Sequence, residues 1–305
     1  MVEFAITAQG LTKSFKDLVA VDDLDLKIKK GELFSLLGPN GAGKTTTIKM
    51  LSTLISPTRG DARLLGYDIK EQRESVRRVT NVSPQENAVA PHLSVRENLV
   101  LIGGSYGLER SVINRRCEEY MEMMNIADRA KSQAKTLSGG LQRRLSIAMA
   151  LITDPEILFL DEPTLGLDPE ARRELWKLIL GLKGEKTILL TTHYLEEADQ
   201  LSDRLSIMSG GRIIASGTPD EIKAQFEGKK ELTLIGRDFP AEFKSALPYE
   251  ISQVGERLTL SGAKIDVDRV IELIGLHGVS LEGISMKEPS LEDVYLHLIG
   301  KEGER

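Results

Sequence analysis

The stretch "FSLLGPNGAGKTTTIKML", residues 34–51, carries the strongest fold signal in the chain. Residues 38–45 match the pattern G-x-x-x-x-G-K-[ST] of a phosphate-binding loop, and the context fits, because an apolar strand precedes the loop and a helical pattern follows it. In such a loop Lys44 brings positive charge to phosphate oxygens and the Thr45 hydroxyl is placed to bind Mg²⁺. The residues that let the backbone wrap closely around a phosphate are Gly38, Gly41 and Gly43.

A second stretch, "ILFLDEPT" at residues 157–164, supplies two carboxylates at the end of an apolar strand. Successive side chains on a strand diverge, so Asp161 and Glu162 can take different roles. We expect Asp161 to hold the Mg²⁺ shell and Glu162 to polarise the attacking water. For an isolated Asp-Glu pair, capping of the next turn would be the better interpretation. The phosphate-binding loop in the same chain favours the catalytic one.

Residues 1 to about 228 alternate short apolar strands with helices, which is typical of a parallel sheet covered by helices in an α/β protein. The predicted strands are "FSLL", "ILFL", "TILLTT" and "RLSIM". Between about 88 and 154 helical patterns take over, beginning with a capping box, "SVRE" at 94–97, for a helix to about Tyr106, and continuing with a helix over 111–125. The sequence predicts a P-loop NTPase fold with a helical insertion.

The last quarter of the chain has a different order of elements. A short helix starts at "TPDE" (218–221) and extends to Phe226, and "EGKKE" (227–231) is typical of a linker. Beyond it the patterns follow the order βαββαβ and end with a helix, "SLEDVYLHLIG". We therefore predict two domains, an ATPase domain at 1–228 and a small ferredoxin-like α+β domain at 229–305.

Composition excludes several classes of function. The formal net charge is −6, whereas nucleic-acid-binding proteins usually carry an excess of basic residues, so we expect no nucleic-acid partner. No apolar run approaches the roughly 18 to 20 residues of a membrane span, and the N-terminus lacks the pattern of a signal peptide, so we expect a cytosolic chain. The single cysteine, Cys117, lies in helical register with Ile113, Tyr120 and Met124, which favours a buried core thiol.

A second candidate anion site lies in "TLSGGLQRRLSIAMAL", residues 136–151, where Ser138, Gly139 and Gly140 precede a helix. The first backbone N–H groups of a helix are free to bind an anion. Two phosphate sites in one chain raise the question of what the second one serves. Three other short stretches carry polar candidates: "VSPQEN" before this segment contains Gln85, and after it "LGLD" ends at Asp168 and "TTH" ends at a histidine, His193.

Together these elements, in this order, resemble the ATP-binding subunit of an ABC transporter over residues 1 to about 228. The resemblance implies that Glu162, His193 and Gln85 form the catalytic set. It also implies that Mg²⁺ is held by Thr45, Gln85 and Asp161, and that an aromatic residue stacks on adenine. The residues implied in ATP binding are Phe15, Gly38, Pro39, Asn40, Gly41, Ala42, Gly43, Lys44, Thr45, Thr46, Ser138, Gly139, Gly140 and Asp168.

One position departs from the best-known family signature, LSGGQ, because Leu141 replaces the glutamine and Gln142 follows it. Ser138 and the backbone N–H groups of the two glycines can still meet a phosphate, so we expect the change to affect contacts to the sugar rather than the function. "LSGGLQRR" and the C-terminal "EPSLEDVYLHLIG" are similar to the drug-, sodium- and lipid-exporting class of type-2 ABC transporters.

The resemblance implies a homodimer or heterodimer that encloses two MgATP molecules. Each lies between the phosphate-binding loop of one subunit, the family's Walker A loop (residues 38–45), and the signature (residues 137–140) of the other. Such a dimer drives a separate integral-membrane permease, most often for export in this class. The chain would then be cytoplasmic and peripheral on the inner face of the cell membrane. The segment Glu86–Leu93, which includes "AVAPHL", either receives the permease or is only a connecting loop.

Two other functions fit the sequence less well. A soluble ABC ATPase acting on DNA or ribosomes needs a coiled-coil insertion or two cassettes in one chain, and this sequence shows one cassette and no long heptads. A P-loop GTPase needs an N-K-x-D motif, which the sequence lacks. For the last 77 residues three roles remain open: binding a small regulator, dimerisation, or bracing the permease.

Overall fold

The structure, a computed structural model, describes residues 4–86, 88–224, 230–262, 264–287 and 290–303, the last five without their side chains. The chain divides into two compact units, Met1–Pro219 and Asp220–Arg305. The predicted boundary between residues 228 and 229 lies outside the described residues, as do most of "EGKKE" and the predicted helix end at Phe226. Among the residues that are described, no helix is both long and apolar enough to cross a bilayer.

Over its described residues, the larger unit contains ten strands and seven α-helices. Its last residue, Pro219, is the first residue of an eighth helix. The strands are β1 (Phe4–Phe15), β2 (Leu18–Lys29), β3 (Leu33–Leu37), β4 (Arg59–Leu64), β5 (Tyr67–Asp68), β6 (Thr80–Ser83), β7 (Ile157–Asp161), β8 (Thr187–Thr192), β9 (Arg204–Ser209) and β10 (Arg212–Gly217). The helices are α1 (Lys44–Leu51), α2 (Arg73–Val79), α3 (Val95–Ser105), α4 (Arg110–Met123), α5 (Gly139–Leu151), α6 (Pro169–Leu180), α7 (Leu195–Leu201) and α8 (Pro219–Ala224).

A six-stranded sheet forms the centre of this unit, in the order β10-β9-β3-β8-β7-β6. All neighbours are parallel except β10 and β9, which are antiparallel. Strands β3, β7 and β8 are buried along their whole length, and the sequences of β7 and β8 show the lack of alternation that is expected for strands covered on both faces. The four predicted strands are therefore confirmed, and β3, β7 and β8 end side by side at the edge that carries the candidate site.

A second, antiparallel sheet in the order β2-β1-β4-β5 was not predicted from the sequence. Strand β2 alternates buried and exposed residues along its second half, which is typical of a sheet with one face on the core. Its buried residues, with those of β1 and β4, share one apolar cluster with α1 and the central sheet. This sheet places the β1–β2 turn, where Phe15 lies, beside the phosphate-binding loop.

The helical insertion predicted at about 88–154 contains α3, α4 and α5, whose buried side chains share one apolar core with the central sheet and α6. Ser94 caps α3 in the predicted capping box with Glu97. Helix α4 ends at Met123, two residues before the predicted end, because Asn125 adopts a left-handed φ of 53° that closes the helix. Cys117 is fully buried in this core, as predicted, and burial raises the pKa of its thiol.

The smaller unit continues with β11 (Lys230–Arg237), α9 (Ala241–Ala246), β12 (Glu250–Val254), β13 (Arg257–Gly262), α10 (Val267–Leu276), β14 (Ser280–Lys287) and α11 (Leu291–Gly303). Its four strands form an antiparallel sheet in the order β12-β13-β11-β14, and up to β14 the elements follow the predicted βαββαβ order. The buried side chains of β11, β13, α9 and α10 form a separate apolar core. The unit therefore has the ferredoxin-like α+β fold that its sequence predicts.

Candidate functional site

The phosphate-binding loop connects β3 to α1, and close backbone contacts require two of its glycines, Gly38 and Gly43. A Cβ on Gly38 would lie 2.3 Å from the carbonyl oxygen of Met208, and one on Gly43, whose φ is 102°, would lie 2.5 Å from that of Ala20. The Gly38 N–H donates to the Thr192 carbonyl at 3.2 Å, which ties the start of the loop to the end of β8. Gly41 adopts a φ of 83° on the open side of the loop. The loop is thus fixed at both ends and open in the middle.

Lys44 is the buried cation of this loop, with only 5% of its side chain exposed. Its Nζ donates to the carbonyl oxygens of Gly38 at 2.7 Å and Pro39 at 3.1 Å, and it lies 3.1 Å from Oε1 of Glu162. A buried ammonium is stable only when its donors and its charge are satisfied. The two carbonyls and the carboxylate do this here, and they aim the ammonium at the inside of the loop.

Asp161, the last residue of β7, accepts two hydroxyl hydrogen bonds at Oδ1. The Thr45 Oγ1 donates to it at 3.0 Å and the Thr191 Oγ1 at 2.6 Å. The carboxylate is 4% exposed, so these hydroxyls replace water around a buried charge. The structure therefore brings together the two protein oxygens, from Thr45 and Asp161, that the sequence assigns to Mg²⁺.

Glu162 follows Asp161 in a left-handed conformation, with a φ of 49°. Its backbone N–H donates to the Thr191 carbonyl at 3.1 Å and to the Thr191 hydroxyl at 3.0 Å, which holds the unusual conformation in place. Its carboxylate is 5% exposed. Oε2 is hydrogen-bonded to Nδ1 of His193 at 2.7 Å, and Oε1 faces the Lys44 ammonium. The two carboxylates at the end of β7 thus contact different partners, as the sequence predicts.

These residues face a cavity of about 400 Å³ at the end of the parallel strands. The Phe15 ring lines this cavity and is 45% exposed, so it does not pack into the core, and the Lys13 ammonium lies 5.0 Å from its centroid. Leu18 and Ala20, from β2, were not predicted as site residues. The lining residues are Phe15, Leu18, Ala20, Asn40, Gly41, Ala42, Gly43, Lys44, Thr45, Thr46, Gln85 and Glu162.

The second candidate phosphate site, residues 138–140, does not contribute to the lining of this cavity. Ser138 is the N-cap of α5, with Oγ accepting from the Leu141 N–H at 3.4 Å, and both Ser138 and Gly139 are exposed. Asp168 caps α6 in the same manner, its Oδ1 accepting from the Ala171 N–H at 2.9 Å. Each of these helix starts presents polar groups at the surface of the chain.

Gln142, the residue displaced by one position from the family signature, is committed to its own chain. Its Nε2 donates to the carbonyl oxygens of Ala134 and Leu137, both at 3.2 Å. The glutamine therefore fastens α5 to the turn before it. It does not replace the signature glutamine that Leu141 displaces.

Arg143, which was not predicted from the sequence as a site residue, is 4% exposed and connects three parts of the site. Its guanidinium donates to the carbonyl oxygens of Asp161 at 2.7 Å, Pro163 at 2.8 Å and Gln85 at 3.3 Å, and also to that of Pro84. Burial lowers the pKa of Arg143 to about 10, against the attraction of nearby carboxylates. No local pattern marks Arg143 as buried, because Arg144 and Ser146 interrupt the apolar residues that follow it in α5.

Glu197 on α7 is a second buried carboxyl that was not predicted from the sequence. It is fully buried, and its Oε1 accepts from the indole N–H of Trp176 on α6 at 3.0 Å. Burial raises the pKa of this carboxyl above its ordinary value, and the nearby Glu162 acts in the same direction. The contact joins α6, which follows Asp168, to α7, which follows His193.

Comparison with known proteins gives consistent matches. A family model described as ABC transporter matches residues 21–165. The daunorubicin resistance ATP-binding protein DrrA3 of Streptomyces coeruleorubidus is 38% identical, over 98% of this chain and 97% of that protein. The Nod factor export ATP-binding protein I of Cupriavidus pinatubonensis is 40% identical, over 95% and 89%. The dimeric structure of a post-hydrolysis state of the ATP-binding cassette MJ0796, bound to ADP and Pi, aligns with a TM-score of 0.64 and 26% identity, over 70% of this chain and 98% of that one.

Proposed function

Since this chain belongs to the ABC transporter family, as a subunit that binds and hydrolyses ATP, we propose that it dimerises around two MgATP molecules and drives export through a separate membrane permease. One observation carries the proposal: a single chain builds one complete phosphate-binding loop beside Glu162 and His193, and leaves a second phosphate site, Ser138–Gly140, exposed elsewhere. The names of the relatives favour export. The alternative, a soluble ABC ATPase that is not coupled to transport, has no support in the comparisons.

ATP would enter the cavity of about 400 Å³ with its base against the exposed Phe15 ring. The phosphates would lie in the loop from Gly38 to Thr46, where backbone N–H groups and the Lys44 ammonium meet the negative charge. Lys44 already faces the inside of the loop through its contacts with Gly38, Pro39 and Glu162. Phosphate oxygens are the natural replacement for the Glu162 contact, since they leave the ammonium buried and paired.

The residues assigned to Mg²⁺ fit that ion. Thr45, Asp161 and Gln85 offer hydroxyl, carboxylate and amide oxygens, which are the hard ligands that Mg²⁺ prefers. The first two are already within 3.0 Å of each other, and Gln85 lines the same cavity. When bound, Mg²⁺ supplies positive charge that neutralises the phosphate oxygens. In this proposal the three side chains hold the ion at the C-terminal end of β7, in the cavity.

For hydrolysis, Glu162 would act as the general base that polarises the attacking water. Its carboxylate lies at the cavity and is oriented from both sides, by Lys44 and by His193. The bond to His193 Nδ1 leaves the other ring nitrogen, Nε2, for the γ-phosphate. Gln85 would report the presence of the γ-phosphate and Mg²⁺ to the helical insertion, and Arg143 fixes the backbone of Gln85 relative to Asp161.

The exposed segment Ser138–Gly140 would bind the ATP held by a second subunit. The helix start of α5 offers N–H groups and the Ser138 hydroxyl to an anion, and Asp168 stands at the start of α6. The dimer would therefore contain two composite sites, each completed by the other chain. ATP then favours association, because it binds both chains only when they close, and hydrolysis releases them.

The permease would dock in a second cavity of about 340 Å³. Its rim carries Leu54 and Tyr106, which are 63% and 49% exposed, and its lining includes Arg77, Val82 and Pro84. Exposed apolar residues around a mainly apolar cavity suit the apolar face of a short amphipathic helix. Docking there would place the chain on the inner face of the cell membrane, beside Gln85, so that the permease senses the nucleotide.

The segment Glu86–Leu93 would contribute to this docking surface mainly through Ala88, which lines the cavity. The fully buried side chain of Asn98 holds residues 90–93, accepting from the Ala90 N–H at 2.8 Å and donating to the carbonyls of Ala90 and Leu93. These hydrogen bonds fix residues 90–93, which follow Ala88 and do not themselves line the cavity. Residues 229–305 would form an accessory domain for regulation, dimerisation or support of the permease.

Cysteine cross-linking tests the shared site. In a Cys117→Ala, Glu162→Gln background we would mix one chain carrying Asn40→Cys with one carrying Ser138→Cys. A disulfide requires Cα atoms within about 7 Å, so an inter-chain cross-link should form only when MgATP closes the dimer. As a control, Ser105→Cys places a thiol on exposed α3, away from the signature, and should not cross-link. No ATP-dependent cross-link, or an equal one from Ser105→Cys, would contradict a site shared between two copies.

A further inference from the structure

The ring of Tyr194, directly after His193, packs against the imidazole. The two ring centroids are 4.1 Å apart and the planes are tilted by 39°. Neighbouring side chains on an extended segment point to opposite faces, so this packing depends on the turn that follows β8. That turn is fixed by the Tyr194 N–H, which donates to the Thr192 hydroxyl at 2.9 Å.

Arg172, on the first turn of α6, contacts the same tyrosine ring. Its guanidinium carbon lies 4.2 Å from the Tyr194 centroid, which is within the range of a cation–π interaction. Its Nε is buried and has no hydrogen-bond partner among the described residues. The aromatic ring is therefore a principal contact of this guanidinium, and the two side chains restrain each other.

The first turn of α6 is a rigid support for this arginine. Asp168 caps the helix, Pro169 occupies its first position, and the Arg172 N–H donates to the Asp168 carbonyl at 3.0 Å. The same turn approaches the signature segment, since a Cβ on Gly140 would lie 3.3 Å from that of Ala171. Arg172 thus stands on an element that touches both the signature and the residue after the histidine.

The hydrogen bond to Glu162 alone does not fix the His193 ring. A single bond at Nδ1 leaves the imidazole free to pivot about that contact, and 29% of the side chain is exposed. A second ring packed against it removes this rotation and sets the direction of Nε2. We propose that Tyr194 and Arg172 are positioning residues, which hold the His193 ring in line with Glu162 for ATP hydrolysis.

This inference rests on the role proposed for His193, and its first test is kinetic. In the full-length chain, Tyr194→Leu should lower kcat about tenfold with KM changed less than about twofold, because a small misplacement of a reacting group slows chemistry without weakening binding. Tyr194→Phe keeps the ring and should stay within about twofold of the wild type. Arg172→Gln should follow Tyr194→Leu, whereas Arg173→Gln, on the exposed face of the same turn, should have no effect.

A double-mutant comparison tests whether the effect passes through the histidine. In a His193→Ala background, Tyr194→Leu should cause no further loss of hydrolysis. A full further tenfold loss would overturn the proposal, as would wild-type kcat in Tyr194→Leu. Full activity of His193→Ala would contradict the catalytic role proposed for His193. Whether Tyr194 positions the His193 ring would then be decided by NMR alone.

NMR of the imidazole gives that independent readout. The chain has four histidines, so with ¹³Cε1-labelled histidine the His193 signal is identified by its loss in His193→Ala. Packing on an aromatic ring displaces this signal through the ring current. We expect Tyr194→Leu to shift it toward the exposed histidines and Tyr194→Phe to leave it in place. An unchanged His193 signal in Tyr194→Leu would overturn the positioning role, whatever the kinetics.

Discussion

The two phosphate-binding segments of this chain differ in how much structure surrounds them. The loop Gly38–Thr45 is closed in by the ends of three strands, and its lysine is buried between backbone carbonyls and Glu162. The segment Ser138–Gly140 has only a helix cap, with Ser138 and Gly139 facing solvent. The difference teaches that one chain completes the first site by itself, whereas the second site offers its polar groups outward and needs another molecule to be useful.

Helix α5 connects the two segments physically. Its first turn is exposed, but from Arg143 onward every residue to Leu151 is buried. Arg143 binds the backbone of Asp161 and Gln85 from inside the molecule, so the exposed turn cannot move without disturbing the ends of β7 and the Gln85 loop. Substitutions that change a single side chain, each with a matched control, are therefore needed to separate the contributions of the two segments.

The largest effect should come from Glu162→Gln. The amide keeps the size of the side chain but cannot accept a proton, so we expect ATP hydrolysis to slow by about 100-fold or more, the usual scale for a general base. ATP binding should persist, because Lys44 retains the carbonyl oxygens of Gly38 and Pro39 as partners. Steady-state hydrolysis and a nucleotide-binding assay on the same preparation check both expectations, and the dimer should accumulate with ATP.

The matched control for this variant is Glu196→Gln, which makes the same change at an exposed position beside His193 and Glu197. It should leave hydrolysis unchanged. Turnover of Glu162→Gln within a few-fold of the wild type would remove Glu162 from the role of general base. The Walker A loop would then lose its assigned catalytic partner, and the contrast between the two segments would rest on binding alone.

Lys44→Ala should have the next largest effect, and it acts on binding. Losing a charge-assisted contact to phosphate costs about 2 kcal/mol, so we expect ATP affinity of the isolated chain to fall about 30-fold. Lys49→Ala, which removes an exposed lysine from the same helix, is the control and should bind ATP normally. Isothermal titration at a protein concentration that keeps the chain monomeric provides the measurement, and equal affinities for the two variants would contradict the assignment.

Much of the fold and many of the site residues could be predicted from the sequence. The four central strands, the helical insertion and its capping box, and the βαββαβ order were all predicted, because each has a local signal of periodicity, capping or turn residues. The family and the ATPase activity inferred from the motifs are confirmed by the relatives. The site residues were predicted as separate motifs, and the structure adds that Lys44, Glu162 and His193 meet in one contact network.

The missing parts share a physical reason, which is that they depend on contacts between distant segments. Arg143 is indistinguishable from an exposed arginine at a helix start until β7 and the Gln85 loop are placed around it. The antiparallel sheet of β1, β2, β4 and β5 brings together strands up to about 60 residues apart, so no local pattern revealed its order. The contact of Arg172 with the Tyr194 ring depends on α6, which ends more than ten residues earlier in the chain.

The smallest effect, and the sharpest test of the exposed segment, should come from Ser138→Ala. Ser138 caps α5 through the Leu141 N–H, and Ser94 caps α3 through the Glu97 N–H at 3.2 Å. Removing either cap costs about 1 kcal/mol, so each variant should lower the Tm by about 2 to 4 °C.

If Ser138 is only a cap, the two variants will also hydrolyse ATP equally. We expect instead that Ser138→Ala loses up to about tenfold in hydrolysis, through one hydrogen bond to the phosphate of the other subunit, while Ser94→Ala loses none. ATP affinity of the monomer should be normal in both, in contrast to Lys44→Ala. Equal hydrolysis by Ser138→Ala and Ser94→Ala at matched stability would reduce the segment to an ordinary helix start.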